Sequence, residues 1–246
     1  MKETRLLMGM PITVEIVDES PQSSIDEVFE YLNYIDETFS TYKETSEISK
    51  INAKLITKDD WSEDMQEVMA LCEKTKQESR GYFDAEHNGH IDPSGIVKGW
   101  AIQQAATILG KKYQNYYVDA GGDIQTAGKN AEGKPWKVGI RNPFNRTEVV
   151  KTLSVSGQAI ATSGTSIRGQ HIYNPHVPSQ ELLEIVSLTV VGQSILEADR
   201  FATAAFAMQA EGIHFIASLP GLEGYMINKD GLATFTNGFS NYFSHD

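Results

Sequence analysis

Tyr116-Tyr117-Val118-Asp119-Ala120-Gly121-Gly122-Asp123-Ile124 divides the chain into two kinds of sequence. Upstream, apolar residues recur mostly at helical spacing, whereas from here onward they fall in short β-branched runs of strand character. The stretch itself reads as a strand broken by paired glycines. Beyond it, Trp136 to Arg141, Thr152 to Val155, Ala159 to Thr162 and Leu183 to Val191 are further strands, with turn signals at Glu132-Gly133 and Ser156-Gly157. Connections this short join antiparallel neighbours, because a parallel pair needs a crossover of about a dozen residues. Helical runs from Ile195 to Met208 and from Glu211 to Leu219 come next, then a hairpin from Tyr225 to Phe235 turned by Lys229-Asp230-Gly231.

Working back toward the N-terminus, Arg5 to Val17 reads as one β-branched strand, with a bulge or close approach at Gly9 and Pro11. Ile25, Val28, Phe29, Leu32, Ile35 and Phe39 mark an amphipathic helix, and Ser46 opens a shorter one. Ser62 caps a third, with Met65, Val68, Met69 and Cys72 on its inner face. A polar connection rich in His and Gly leads from Phe83-Asp84 to Asp92. The fold class expected is α+β, a largely antiparallel sheet with helices, in one domain over residues 1–246.

A chain of 246 residues is long enough to bury a sizeable interior. Its formal charge of -12 argues against nucleic acid or an anionic membrane as the main partner. The single Cys72 excludes a disulfide framework and a cysteine metal cluster, and reads as a core thiol. Met1 to Met10 holds only Lys2 and Arg5 and a short apolar patch, so no signal peptide is expected and the chain is placed in the cytoplasm without membrane insertion.

Chemistry enters at Asp92-Pro93-Ser94-Gly95-Ile96-Val97-Lys98-Gly99-Trp100-Ala101. Pro93 stops what precedes it, Ser94 serves as N-cap, and an amphipathic helix runs on to Gly110. Lys98 is out of place, since a cation near a helix N-terminus opposes the macrodipole by about 0.3–1 kcal/mol. Either it is simply solvated, or an anion bound there is held by the free N–H groups and the lysine together. In Ile195 to Met208, Asp199 and Thr203 share a helix face amid apolar neighbours. A buried carboxylate needs a partner. The choices are a hard cation such as Mg²⁺ on oxygen ligands, or an ion pair with Arg200 or Arg168 while Thr203 bonds back to its own helix. A third cluster, Ala161 to Pro175, combines hydroxyls and glycines with Arg168 and His171, the latter structural or catalytic on its own showing.

Met8-Gly9, Phe39-Ser40-Thr41-Tyr42 with Ser46-Glu47-Ile48-Ser49, Phe83-Asp84, Asp92-Pro93-Ser94-Gly95-Ile96-Val97-Lys98-Gly99, Gly121-Gly122-Asp123-Ile124, Ala161-Thr162-Ser163-Gly164, His171-Ile172, and Glu197-Ala198-Asp199 with Thr203 follow one another in this order. The series resembles the ApbE family of FAD:protein FMN transferases over nearly the whole chain, in a short form with an abbreviated connection before Asp92. The resemblance implies a two-lobed body with a ligand cleft between the lobes. It also implies a Mg²⁺-dependent enzyme that moves the FMN half of FAD onto a threonine hydroxyl of an acceptor flavoprotein and releases AMP. Met8, Tyr42, Tyr82, Phe83, Asp84, Asp92, Lys98 and His171 fall where the family contacts FAD. Gly95, through its main-chain carbonyl, Asp199 and Thr203 fall on the metal positions. Lys98, Asp199 and His171 are the catalytic candidates, with His171 either taking the threonine proton or binding the leaving phosphate.

The chain departs from the family pattern after His171-Ile172, where Tyr173-Asn174-Pro175 replaces the usual acid, and at His176 to Gln180, which lacks the usual glycine turn. Asp230-Gly231-Leu232-Ala233-Thr234 loosely resembles an acceptor motif, but a hairpin strand explains it and no flavin is expected on Thr234. Two other functions compete with transfer: hydrolysis of FAD to FMN and AMP in the same site, and flavin binding without turnover. The acceptor and the oligomeric state are not readable from the chain.

Overall fold

The computed structural model of the chain describes residues 1–165 and 172–244. Strands β1 (Lys2–Leu7) and β2 (Met10–Ile16) lead into helices α1 (Gln22–Phe39), α2 (Glu47–Asn52) and α3 (Glu63–Glu78). A small hairpin, β3 (Glu86–His87) and β4 (His90–Ile91), precedes the long helix α4 (Ser94–Gly110). Strands β5 (Tyr116–Ala120), β6 (Asp123–Ala127), β7 (Trp136–Arg141), β8 (Val149–Val155), β9 (Ala159–Gly164) and β10 (Ile185–Gly192) follow. Helices α5 (Ile195–Ala207) and α6 (Gly212–Ser218) and strands β11 (Glu223–Asn228) and β12 (Ala233–Phe235) complete the order.

One eight-stranded sheet, in the order β1-β2-β5-β6-β9-β10-β11-β12, organises the rest, and every neighbouring pair in it is antiparallel. Its two faces bury different cores because strand side chains alternate. On β9, Ala159 and Ala161 join the helix-side core while Ile160 joins the other. The helix side holds α1, α4 and α5. Small residues on β9 and on α5, Ala198, Ala202 and Ala205, let that helix lie close to the sheet. On the opposite face the β7–β8 hairpin closes a smaller core of Trp136, Val138, Ile140, Leu153 and Val155 against Ile124, Val191, Tyr225 and Phe239.

Helix α4 is not amphipathic as its spacing suggests. Residues all round it are buried, including Ile96, Val97, Gly99, Trp100, Ala101, Ile102, Ala105, Ala106 and Leu109, because α1, α3 and α5 surround it. Trp100, 2% exposed, donates its indole N–H to Glu67 and meets Phe39 edge-on. Truncating such a side chain to Ala removes about 3–5 kcal/mol. Ser94 is the first helical residue rather than the cap, and its N–H donates to Asp92 Oδ1 at 3.0 Å. Ser46 and Ser62 do cap their helices, each accepting a backbone N–H at 3.1 Å.

The first strand is a second correction. Residues 2–16 form a hairpin, with Leu7 opposite Met10 and both turn residues, Met8 (φ 52) and Gly9 (φ 71), left-handed. A two-residue turn of that kind matches the strand twist, so the chain reverses where a bulge was expected. The polar connection before Asp92 likewise folds as the β3–β4 hairpin, turned by Asn88-Gly89. Cys72 is a core thiol, 4% exposed, and burial pushes its ionisation up to about 12. Among the described residues no helix is long and apolar enough to cross a membrane.

Candidate functional site

Two turns and the end of β9 come together at one end of the sheet. Ile12 pairs with Ala120, Ala120 with Asp123 and Ile124 with Ile160, so the Met8-Gly9 and Gly121-Gly122 turns and the end of β9 lie at the same end. Helices α4 and α5 cross above them. Gly99 allows that crossing: a Cβ there would stand 2.8 Å from Asp199 Cβ and 3.1 Å from the Ile195 carbonyl oxygen.

The crossing gathers charges distant in sequence. Lys98 Nζ donates to Asp123 Oδ2 and lies 3.0 Å from Asp199 Oδ1. Asp199 Oδ2 accepts the Gly99 N–H at 2.8 Å, and Asp123 Oδ1 accepts the Thr162 N–H at 2.8 Å. The carboxylates are dry, with side chains 4% and 2% exposed, whereas the Lys98 side chain keeps 21%. Thr203 lies beside them on α5, its hydroxyl 3.5 Å from Ser163 Oγ, and its methyl would be 3.4 Å from a Cβ on Gly95. Lys98, Gly95, Asp199 and Thr203, read from the sequence, are therefore neighbours in space.

Two readings change with this geometry. Lys98 is not simply solvated, because two carboxylates hold it, and of the N–H groups at the start of the helix that of Ser94 is already taken by Asp92. Asp199 does not pair with Arg200. That guanidinium, 2% exposed, grips Glu197 through two bonds at 2.8 and 2.7 Å, and also reaches Glu78 and Thr75 on α3.

Asp123 is the residue that sequence reasoning missed as a participant. The available signal was an acid opening an otherwise buried strand directly after Gly121-Gly122, the same kind of anomaly that singled out Asp199. Among the described residues no group of three or more His, Cys, Asp or Glu side chains is placed to hold a metal. A cation here needs hydroxyl and carbonyl oxygens beside the carboxylates, and Thr203, Ser163 and the Gly95 backbone are the nearby sources.

The remaining predicted residues divide. The Phe83 ring rests on Gly95, where a Cβ would come within 2.9 Å of it, joining the Tyr82-Phe83-Asp84 segment to the start of α4. Asp84 pairs with Lys76 at 2.7 Å and holds the lysine above its ordinary range. Tyr173 donates to the Asp84 carbonyl at 3.0 Å, and burial, then the charges of Asp84 and Asp92, push its ionisation up. His176 meets the Tyr82 ring at 4.6 Å and lies 2.9 Å from the Arg80 carbonyl. The residues that depart from the family pattern thus brace the segment carrying Tyr82 and Asp84. Met8 is half-buried in its turn, while Tyr42 stands 97% exposed. His171 and Arg168 lie outside the described residues.

Comparison with known proteins bears on the family and the fold. The model of the ApbE family matches residues 8–89 and 85–226. A protein of Klebsiella pneumoniae (strain 342) named FAD:protein FMN transferase is 30% identical over 164 residues, 63% of this chain and 45% of that protein. One of the same name from Vibrio cholerae is 31% identical over 165 residues, 63% of this chain and 48% of its own length. The chain spans about half the length of the curated relatives it matches. Among solved structures, the flavin transferase ApbE from Vibrio cholerae superposes with a TM-score of 0.84 at 21% identity, covering 98% of each chain. The ApbE protein of Thermotoga maritima gives 0.85 at 20% identity, over 100% of this chain and 99% of that one. These likenesses show the α+β fold.

Proposed function

The chain belongs to the ApbE family, and from that premise we propose that it is an FAD:protein FMN transferase, acting on a threonine hydroxyl of a target flavoprotein and releasing AMP. The hydroxyl oxygen forms a bond to the FMN phosphorus while the bond from that phosphorus to the AMP oxygen breaks. The hydroxyl proton passes to a base, and the electron pair of the broken bond leaves with AMP.

The observation that carries the reading is the meeting of Lys98, Asp123 and Asp199 beside Gly95 and Thr203. A protein of net charge -12 repels a diphosphate unless positive charge is concentrated locally. Lys98 supplies one such charge. Two buried carboxylates against one ammonium leave this cluster with surplus negative charge, which favours a further cation. Oxygen donors of mixed type suit Mg²⁺, which takes few protein ligands and completes its shell with water and phosphate. Asp199, Thr203 and the Gly95 carbonyl are the groups assigned to hold it, and it would supply charge neutralisation at the phosphate oxygens.

Within this reading Lys98 binds the diphosphate and stabilises charge on departing AMP. The Gly99 N–H and the Thr162 N–H fix the two carboxylates, so neither reorients as charge develops. Met8, Tyr42, Tyr82, Phe83, Asp84 and Asp92 are assigned to FAD, and His171 to the hydroxyl proton or the leaving phosphate.

Incubating the chain with FAD, Mg²⁺ and an acceptor flavoprotein domain tests the reading. Fluorescent flavin that stays on the acceptor through a denaturing gel, with matching AMP release, is the expected result. FMN and AMP formed equally fast without acceptor would make the protein a pyrophosphatase, and FAD binding without AMP would make it a binding module.

A further inference from the structure

Both oxygens of Asp199 are engaged. Oδ2 accepts the Gly99 N–H at 2.8 Å, and Oδ1 lies 3.0 Å from Lys98 Nζ. The same ammonium donates to Asp123 Oδ2, and the other oxygen of Asp123 is tied to the Thr162 N–H at 2.8 Å. Oδ1 is the oxygen of Asp199 that no backbone N–H holds, and Lys98 lies 3.0 Å from it, so a metal ion ligated there must share that oxygen with the ammonium or displace it.

We propose that Lys98 and the divalent cation compete for Asp199 Oδ1, and that Asp123 is a positioning residue that retains the ammonium when the cation takes Asp199. The inference rests on the metal-assisted reading above and deepens it. A lysine shared by two carboxylates has little charge to offer a phosphate. Relieved of one of them, it carries more, so cation binding makes Lys98 available to the diphosphate. The two sites are coupled, and by linkage each ligand tightens the other. Asp123 gives the displaced ammonium a buried partner; without it, leaving Asp199 would strand the lysine, and displacement would be less favourable.

Titrating Mn²⁺ into the FAD-free chain of 246 residues by calorimetry tests this without reference to turnover. Lys98→Met removes the competitor and is expected to bind Mn²⁺ at least about tenfold more tightly than wild type, the scale of one charge-assisted contact. Asp123→Asn is expected to bind more weakly, and to lose more affinity in the presence of Lys98 than in its absence, a non-additivity that a distant charge would not produce. Lys98→Met leaves two buried carboxylates unpaired and can fail to fold. The Lys98→Met/Asp123→Asn double variant, compared with Asp123→Asn alone, then reads the same tenfold gain. Affinity unchanged or weakened on removing Lys98 in both backgrounds overturns the proposal, as does a loss from Asp123→Asn that is equal with and without Lys98. A protein that shows the expected order of affinities yet transfers no FMN sinks the transferase reading alone. One that transfers FMN with metal affinities indifferent to Lys98 sinks the competition alone.

Discussion

Neighbouring residues on α5, Asp199 and Arg200, belong to two ion clusters of opposite design. Around Arg200 the cation is dry, 2% exposed, while Glu197 and Glu78 keep 40% and 39% of their side-chain exposure. Around Lys98 the carboxylates are dry, at 4% and 2%, and the cation reaches outward at 21%. Water reaches the half-exposed glutamates and Lys74 lies 3.8 Å from Glu78, so the Arg200 cluster is balanced in charge, and its bonds to Thr75 and Glu78 tie α5 to α3. Among the described residues the buried aspartates lack exposure to water and a second cation, and each has only one backbone N–H, from Gly99 or Thr162, besides the shared ammonium. The difference marks the Arg200 cluster as a brace and supports the proposed assignment of the Lys98 cluster to ligand binding.

The largest effect expected is on catalysis. Asp199→Ala should lower FMN transfer by roughly 10²–10³-fold, measured as covalent flavin on an acceptor, because under the proposed function it removes the carboxylate assigned to a metal and half of the lysine's hold. Retention of most activity would erase the distinction between the clusters. Arg200→Met should act in the opposite sense, lowering stability by about 1–3 kcal/mol as the bonds to Thr75, Glu78 and Glu197 disappear. For a chain of this size that is roughly 2–4 °C in Tm per kcal/mol, read by thermal melts, with Mn²⁺ affinity unmoved.

The two glycines under the crossing sharpen the comparison at smaller scale. Gly99→Ala gains about 1 kcal/mol of helix propensity but drives its Cβ to 2.8 Å from Asp199 Cβ and 3.1 Å from backbone oxygen, costing about 1–3 kcal/mol in overpacking. Net destabilisation and loss of transfer are expected together. Gly95→Ala meets the buried Phe83 ring at 2.9 Å and the Thr203 methyl at 3.4 Å but no backbone atom, so its melting temperature should fall, and by less than that of Gly99→Ala. The smallest effect on stability belongs to Tyr42→Ala. At 97% exposure it should change unfolding free energy by no more than about 0.5 kcal/mol, and any effect should fall on KM for FAD.

The sequence made local order legible and long-range partnership obscure. Ser46 and Ser62 announce their helices because a cap bonds within a few residues of itself. The Asn88-Gly89 turn carries a strong hairpin signal, but its strands, Glu86–His87 and His90–Ile91, are too short to show alternation. Met8-Gly9 has no Asn or Asp to mark its turn, and the β-branched run continues across it. Arg200 was a natural partner for Asp199 by adjacency, yet consecutive helical residues point about 100° apart, which sends Arg200 toward α3 and Asp199 toward α4. Asp123 was quoted among the family motifs without a role, since nothing local to β6 reveals that α4 delivers Lys98 to it. The oxygens of Asp199 and Thr203 were readable as a pair because both lie on one helix face.

Intact-mass measurement of an acceptor domain, after incubation with FAD and Mg²⁺ and either wild type, Arg200→Met or Asp199→Ala, tests the central claim most directly. The wild type and Arg200→Met should each add one FMN to the acceptor, and Asp199→Ala none. An FMN adduct formed as readily by Asp199→Ala as by the wild type would contradict it.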